Sequence, residues 1–88
     1  MNATARLREF VLSAFLFGDE SRIPADDESL LESGILDSTG VLELIEFIEE
    51  SFGIHVSDSE TVPENLGSIS ALAVFVTEKS GQRLNGTT

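Results

Sequence analysis

Apolar residues recur near the start of the chain as Leu7, Phe10, Val11, Ala14 and Phe17, the spacing of one helical stripe. This predicts a first helix over residues 2–17, with Asn2 or Thr4 suited to cap its start and Gly18 to stop it. Residues 19–37 carry no such period: Pro24, Gly34 and the polar run Ala25-Asp26-Asp27-Glu28-Ser29 read as a long loop. A structureless loop of that length is uncommon in a small domain. Leu30, Leu31, Ile35 and Leu36 are therefore expected to pin it to the core, with a short helical turn at residues 30–33.

The clearest periodicity follows, from residue 38 to 51 or 52. At about 100° per residue, Val41, Leu44, Ile45, Ile48 and Phe52 gather on one side of a helix, while Glu43, Glu46 and Glu50 gather opposite, with Glu49 on a flank. Asp37 stands just before the first turn, where a carboxylate accepts a backbone N–H and favours the positive end of the helix dipole. Gly53 supplies a left-handed stop. Beyond it lie a short apolar stretch, Ile54-His55-Val56, and polar residues 57–61. Pro63 is placed to open one helical turn over residues 63–66.

Ser68 is suited to cap a last helix running to about Ser80, with Ile69, Leu72, Ala73 and Val76 facing inward and Gly81 ending it. Local propensity disagrees here, because Val74-Phe75-Val76-Thr77 is β-branched and aromatic. A lone strand has no pairing partner in this chain, so the spacing of three and four decides for helix. Residues 82–88 read as a flexible tail. The expectation is an all-α domain over residues 1–81.

Composition narrows the function. Eighty-eight residues make one domain, able to bury roughly 60–65% of its unfolded surface. Five Lys and Arg against sixteen Asp and Glu leave a formal charge of −11, which argues against nucleic acid and anionic membrane as partners. The charge is also segregated: thirteen acids fall between Asp26 and Glu78, with no Lys or Arg between Arg22 and Lys79. Such a face either keeps the chain solvated or docks basic partner proteins. The absence of cysteine excludes a disulfide scaffold, a zinc cluster and a thiol nucleophile. His55, the single histidine, leaves few routes to a hydrolytic triad.

Other motifs carry less. Asp26-Asp27-Glu28 lacks the alternation and distal Glu of a calcium loop, so no metal site is expected. Phe10, Phe15, Phe17, Phe47, Phe52 and Phe75 read as core or flank rather than a base-stacking platform, given no basic groove. No apolar run is long enough to span a membrane, and the N-terminus lacks a signal-peptide layout. A cytoplasmic monomer is expected.

One constellation carries chemistry. Leu30-Leu31-Glu32-Ser33-Gly34-Ile35-Leu36-Asp37-Ser38-Thr39-Gly40 leads straight into the acidic helix and presents the Ser38 hydroxyl at its N-terminus. Orphan N–H groups and the helix dipole there favour a phosphate attached to that oxygen. On local grounds alone, the favoured reading is that Ser38 or Asp37 is merely an N-cap.

From about Asp26 to Val76 the sequence resembles the carrier proteins that bear a 4′-phosphopantetheine arm: acyl, peptidyl and D-alanyl carriers. The pattern stands here as Leu30-Leu31, Gly34, Ile35-Leu36, Asp37-Ser38 and Glu49-Glu50-Ser51-Phe52-Gly53. Carriers of fatty acid synthesis commonly have Gly-Ala-Asp-Ser followed by leucine, whereas here two apolar residues precede Asp37 and Thr39 follows Ser38. The arrangement is closer to D-alanyl carriers and to discrete aminoacyl or peptidyl carriers.

The resemblance implies a four-helix bundle with a long loop between helices I and II and a short helix III. It implies no enzyme activity of the chain's own. Ser38 would receive the arm from coenzyme A through a phosphopantetheinyl transferase, with Asp37 as the adjacent motif residue. An acyl, aminoacyl or peptidyl intermediate would be loaded as a thioester by an adenylating ligase or acyltransferase, then passed to downstream biosynthetic enzymes. Glu43, Glu46 and Glu50 would dock basic partner surfaces. Leu44, Ile45, Ile48 and Phe52 are either ordinary core, the reading preferred here, or a shelter for an apolar acyl chain. The competing class is a non-catalytic acidic adaptor that shares the fold and has no prosthetic group.

Overall fold

In the computed structural model, which describes residues 2–86 with side chains through residue 81, four α-helices and no strand occur among the described residues. Helix α1 spans Ala3–Phe15, α2 Ser38–Phe52, α3 Pro63–Leu66 and α4 Ile69–Gly86. Single 3₁₀ turns at Glu20–Arg22 and Asp58–Glu60 interrupt the two long connections.

Asn2 starts α1 by accepting the Ala5 N–H at 2.8 Å. The helix closes two residues earlier than its apolar stripe suggests. The Leu16 N–H bonds back to Val11, the Gly18 N–H reaches the Leu12 carbonyl, and Phe17 takes a φ of 54°. That turn throws Phe17 outward, where it is 89% exposed, contrary to its expected place in the core or on its flank. Leu16 is buried in its stead.

The core is built from Leu7, Val11 and Leu16, from Leu44 and Ile48 of α2, and from Ile69, Leu72, Phe75 and Val76 of α4. Leu30, Leu36, Ile54, Val56 and Leu66 complete it from the connections and α3. Helix α4 is the spine against which α1, α2 and α3 all pack. Helical spacing prevails over the β propensity of residues 74–77: the segment is helical, and Ile69, Leu72, Phe75 and Val76 are buried at spacings of three and four. Ser68 caps α4 by accepting the Ala71 N–H at 3.1 Å.

The helix does not stop at Gly81. It runs on to Gly86, so the expected helix end at about Ser80 is corrected; residues 87–88 of the expected tail lie outside the described residues. Gly81 keeps a right-handed φ with open space around it. A glycine ends a helix when the chain turns left-handed there, and this one does not.

The long loop is held by backbone hydrogen bonds as much as by side chains. The Leu30 N–H donates to the Gly67 carbonyl and the Ser70 N–H to that of Asp26, each at 2.8 Å. These tie the loop to the α3–α4 corner. Arg8 pairs with the Asp26 carboxylate and adds a tie to α1. Of the four expected anchors, Leu30 and Leu36 are buried and Ile35 packs against the core, whereas Leu31 is 44% exposed.

Candidate functional site

Three residues set the first turn of α2. Asp37 is extended at φ −121°, ψ −175°, and its Oδ1 accepts the Gly40 N–H at 2.7 Å. Its carbonyl accepts the Val41 N–H at 2.9 Å, the first backbone bond of the helix. Ser38 is therefore the first helical residue, and its side chain and that of Thr39 are exposed. The N-cap is Asp37; Ser38 is not needed for it.

Gly40 is buried because two other elements meet there. A Cβ at this position would stand 3.1 Å from Leu36 Cδ1 and from Phe15 Cε1, and 3.3 Å from Asp37 Oδ1. The end of α1 and the end of the long loop thus close on the start of α2. The lack of a side chain at Gly40 allows that approach.

The rest of α2 divides cleanly. Glu43, Glu46 and Glu50 are exposed, as are Asp37 and Ser38. On the inner side Leu44 and Ile48 are wholly buried, while Ile45 and Phe52 pack against the core half-buried. These four thus stand as core and its flank. The hollow beside the first turn of α2 has other walls: about 90 Å³ between Leu36 and Val41 on one side and Val62, Pro63 and Leu66 on the other.

The far end of α2 is closed by contacts that periodicity did not reveal. Gly53 adopts φ 66°, ψ 35° and its N–H returns to Glu49. Arg6 donates to the Ser51 carbonyl at 3.1 Å and lies 4.5 Å over the Phe52 ring. A cation there satisfies a terminal carbonyl and the negative end of the helix at once. Phe47 stacks on Phe10 with centroids 4.2 Å apart and meets Phe52 edge-on at 6.2 Å. Phe47 escaped the inward stripe because it faces α1 from the side of the helix.

His55 is 86% exposed, and its Nδ1 lies 3.4 Å from Glu49 Oε2. Glu49 is eleven residues along α2 from Ser38, or roughly 16 Å of helix. Ser38 and His55 are not brought together, and no triad forms from them.

A second electrostatic feature stabilises the connection to α3. Lys79 donates to both carboxylate oxygens of Glu60, at 3.0 and 2.9 Å. Glu60 also accepts the Ser57 N–H at 3.0 Å and the Ser57 hydroxyl at 3.1 Å. Lys79 above all, then Ser57, holds the Glu60 carboxyl well below its ordinary value, at about 2. The pair fastens the 58–60 turn to α4, so the segment leading into α3 is fixed from below.

No helix among the described residues is long and apolar enough to cross a membrane. No protein-family model matches the chain, and no curated protein matches it in sequence.

Proposed function

We propose that this chain is a discrete carrier protein, with Ser38 bearing a 4′-phosphopantetheine arm that tethers an acyl or aminoacyl intermediate. The observation that carries the reading is the exposed Ser38 at the first position of α2, ahead of the exposed acids Glu43, Glu46 and Glu50. Four helices in the expected order, with a long anchored loop before α2 and a single-turn α3, support the carrier type of bundle.

The residues around Ser38 suit such a group. The Asp37 carboxylate is committed to the Gly40 N–H. The N–H groups of Ser38 and Thr39 precede the first intrahelical bond, and unpaired N–H groups at a helix start would favour a phosphate on the Ser38 oxygen. Ser38 presents that oxygen on a turn that Asp37, Gly40 and Leu36 hold in place. The arm, when attached, supplies the terminal thiol that a chain without cysteine lacks.

Glu43, Glu46 and Glu50 attract the Arg and Lys of partner enzymes. Contacts between exposed charges are individually weak and screened by salt, which suits rapid exchange among enzymes. A tether then raises the effective concentration of the cargo at each partner. The closed packing of Leu44 and Ile48 favours an aminoacyl or other compact cargo over a long acyl chain sheltered in the core. The chemistry belongs in a cytoplasmic biosynthetic pathway.

The test is intact mass after incubation with coenzyme A and a broad-specificity phosphopantetheinyl transferase. The wild-type chain gains one phosphopantetheinyl unit and Ser38→Ala gains none. An unchanged wild-type mass would favour the adaptor class.

A further inference from the structure

We propose that Phe15, the last residue of α1, is a positioning residue for the reaction at Ser38: its ring, closed on Gly40, holds the first turn of α2 in the shape that presents the Ser38 oxygen. The role rests on the carrier reading above.

The turn that carries Ser38 is weak by itself. Gly40 stands within it, and a glycine inside a helix loosens the backbone relative to alanine. Helix ends also fray. Asp37 supplies one hydrogen bond, to the Gly40 N–H at 2.7 Å. The missing side chain admits further support, since Phe15 Cε1 and Leu36 Cδ1 each reach within 3.1 Å of the point where a Cβ would stand. Leu36 belongs to the same stretch of chain as the turn, whereas Phe15 arrives from a separate helix.

The ring is itself held. Phe15 meets Phe10 edge-on with centroids 5.5 Å apart, Phe10 stacks on Phe47 of α2 at 4.2 Å, and Phe47 meets Phe52 edge-on at 6.2 Å. A row of rings thus follows the seam between α1 and α2 and ends against the Ser38 turn. Just beyond Phe15, Leu16 is buried and Phe17 takes a φ of 54°, a left-handed backbone that a bulky residue rarely adopts. Strain of this kind persists only where the surroundings over-determine it. Here it fixes where α1 ends, and so where Phe15 is delivered.

Loading is a phosphoryl transfer. The Ser38 oxygen bonds to the pantetheine-side phosphorus of coenzyme A, and the bond from that phosphorus to the bridging oxygen breaks. Adenosine bisphosphate leaves, and the hydroxyl proton passes to a base of the transferase. Displacing the Ser38 oxygen slows this step without altering Glu43, Glu46 and Glu50, which govern the encounter. Phe15 therefore acts on kcat rather than KM.

The experiment measures loading from coenzyme A by a broad-specificity phosphopantetheinyl transferase, with carrier concentration varied. Phe15→Leu is expected to lower kcat about tenfold with KM within about twofold. Adding Gly40→Ala, whose methyl enters the space left by the ring edge, is expected to restore kcat to within about threefold of wild type. Phe75→Leu, the same truncation on the α4 side of the core, leaves kcat unchanged whatever stability it loses. Wild-type kcat in Phe15→Leu, no recovery in the double variant, or an equal loss in Phe75→Leu overturns the role of Phe15 while the carrier reading stands. Should Phe15→Leu not fold, Phe15→Met, which keeps more of the ring's reach, is read in its place by the same criteria. A wild-type chain that gains no mass at all overturns the carrier reading, and the role of Phe15 with it.

Discussion

Phe15 Cε1 lies 3.1 Å from the point where a Cβ on Gly40 would stand. The end of α1 and the first turn of α2 are thereby packed to contact at the residue two positions after Ser38. Asp37 caps that turn and Leu36 closes it from the loop. A side chain at position 40 has to displace one of these groups.

Gly40→Leu is expected to destabilise the protein by about 2 kcal/mol, the usual cost of overpacking a closed contact. Gly40→Ala sits near neutrality, because roughly 1 kcal/mol of helix propensity offsets small shifts of Phe15 and Leu36. Urea denaturation of the two variants checks this. A Gly40→Leu protein as stable as wild type would show that the three elements do not meet there.

The Glu60–Lys79 pair predicts a dependence on pH. The Glu60 carboxyl is at about 2 in the folded protein against 4.5 ordinarily, so the folded state binds its proton less readily than the unfolded chain does. Its contribution is complete above about pH 4.5 and is lost as pH falls toward 2. The pair is partly exposed, and screening reduces its worth at neutral pH to about 1 kcal/mol. Lys79→Met should therefore unfold more easily than wild type at pH 7, with the difference closing by pH 2. A gap independent of pH between those limits would place the effect of Lys79 elsewhere.

Charge reversal on the exposed face of α2 separates docking from folding. Glu43→Lys with Glu46→Lys is expected to slow transferase loading at least tenfold at low salt, with the difference shrinking as ionic strength rises. Helicity by circular dichroism should be unchanged, because both side chains are exposed. A large loss of helicity in the double variant would refute the surface assignment.

Local signals wrote the parts around the candidate site. The bounds of α2 follow from Asp37, the apolar period and Gly53, each acting within a few residues of where it stands. The one-turn α3 behind Pro63 and the Ser68 cap are of the same kind. What escaped depends on contacts between distant segments. Gly81 carries a stop signal that the helix ignores, because nothing turns the chain left-handed there. Phe17 fits the apolar stripe but lies past the turn that ends α1. The Arg6–Phe52, Phe10–Phe47 and Glu60–Lys79 contacts join residues 19 or more positions apart, and no helical period encodes such partners.

The central claim is that the Ser38 oxygen accepts the prosthetic arm. Peptide-level mass spectrometry of the wild-type protein, after treatment with coenzyme A and a phosphopantetheinyl transferase, tests it most directly. The account predicts one added unit, with fragment ions assigning it to Ser38 alone. An unmodified peptide containing residue 38, or an addition found on another residue, would contradict it.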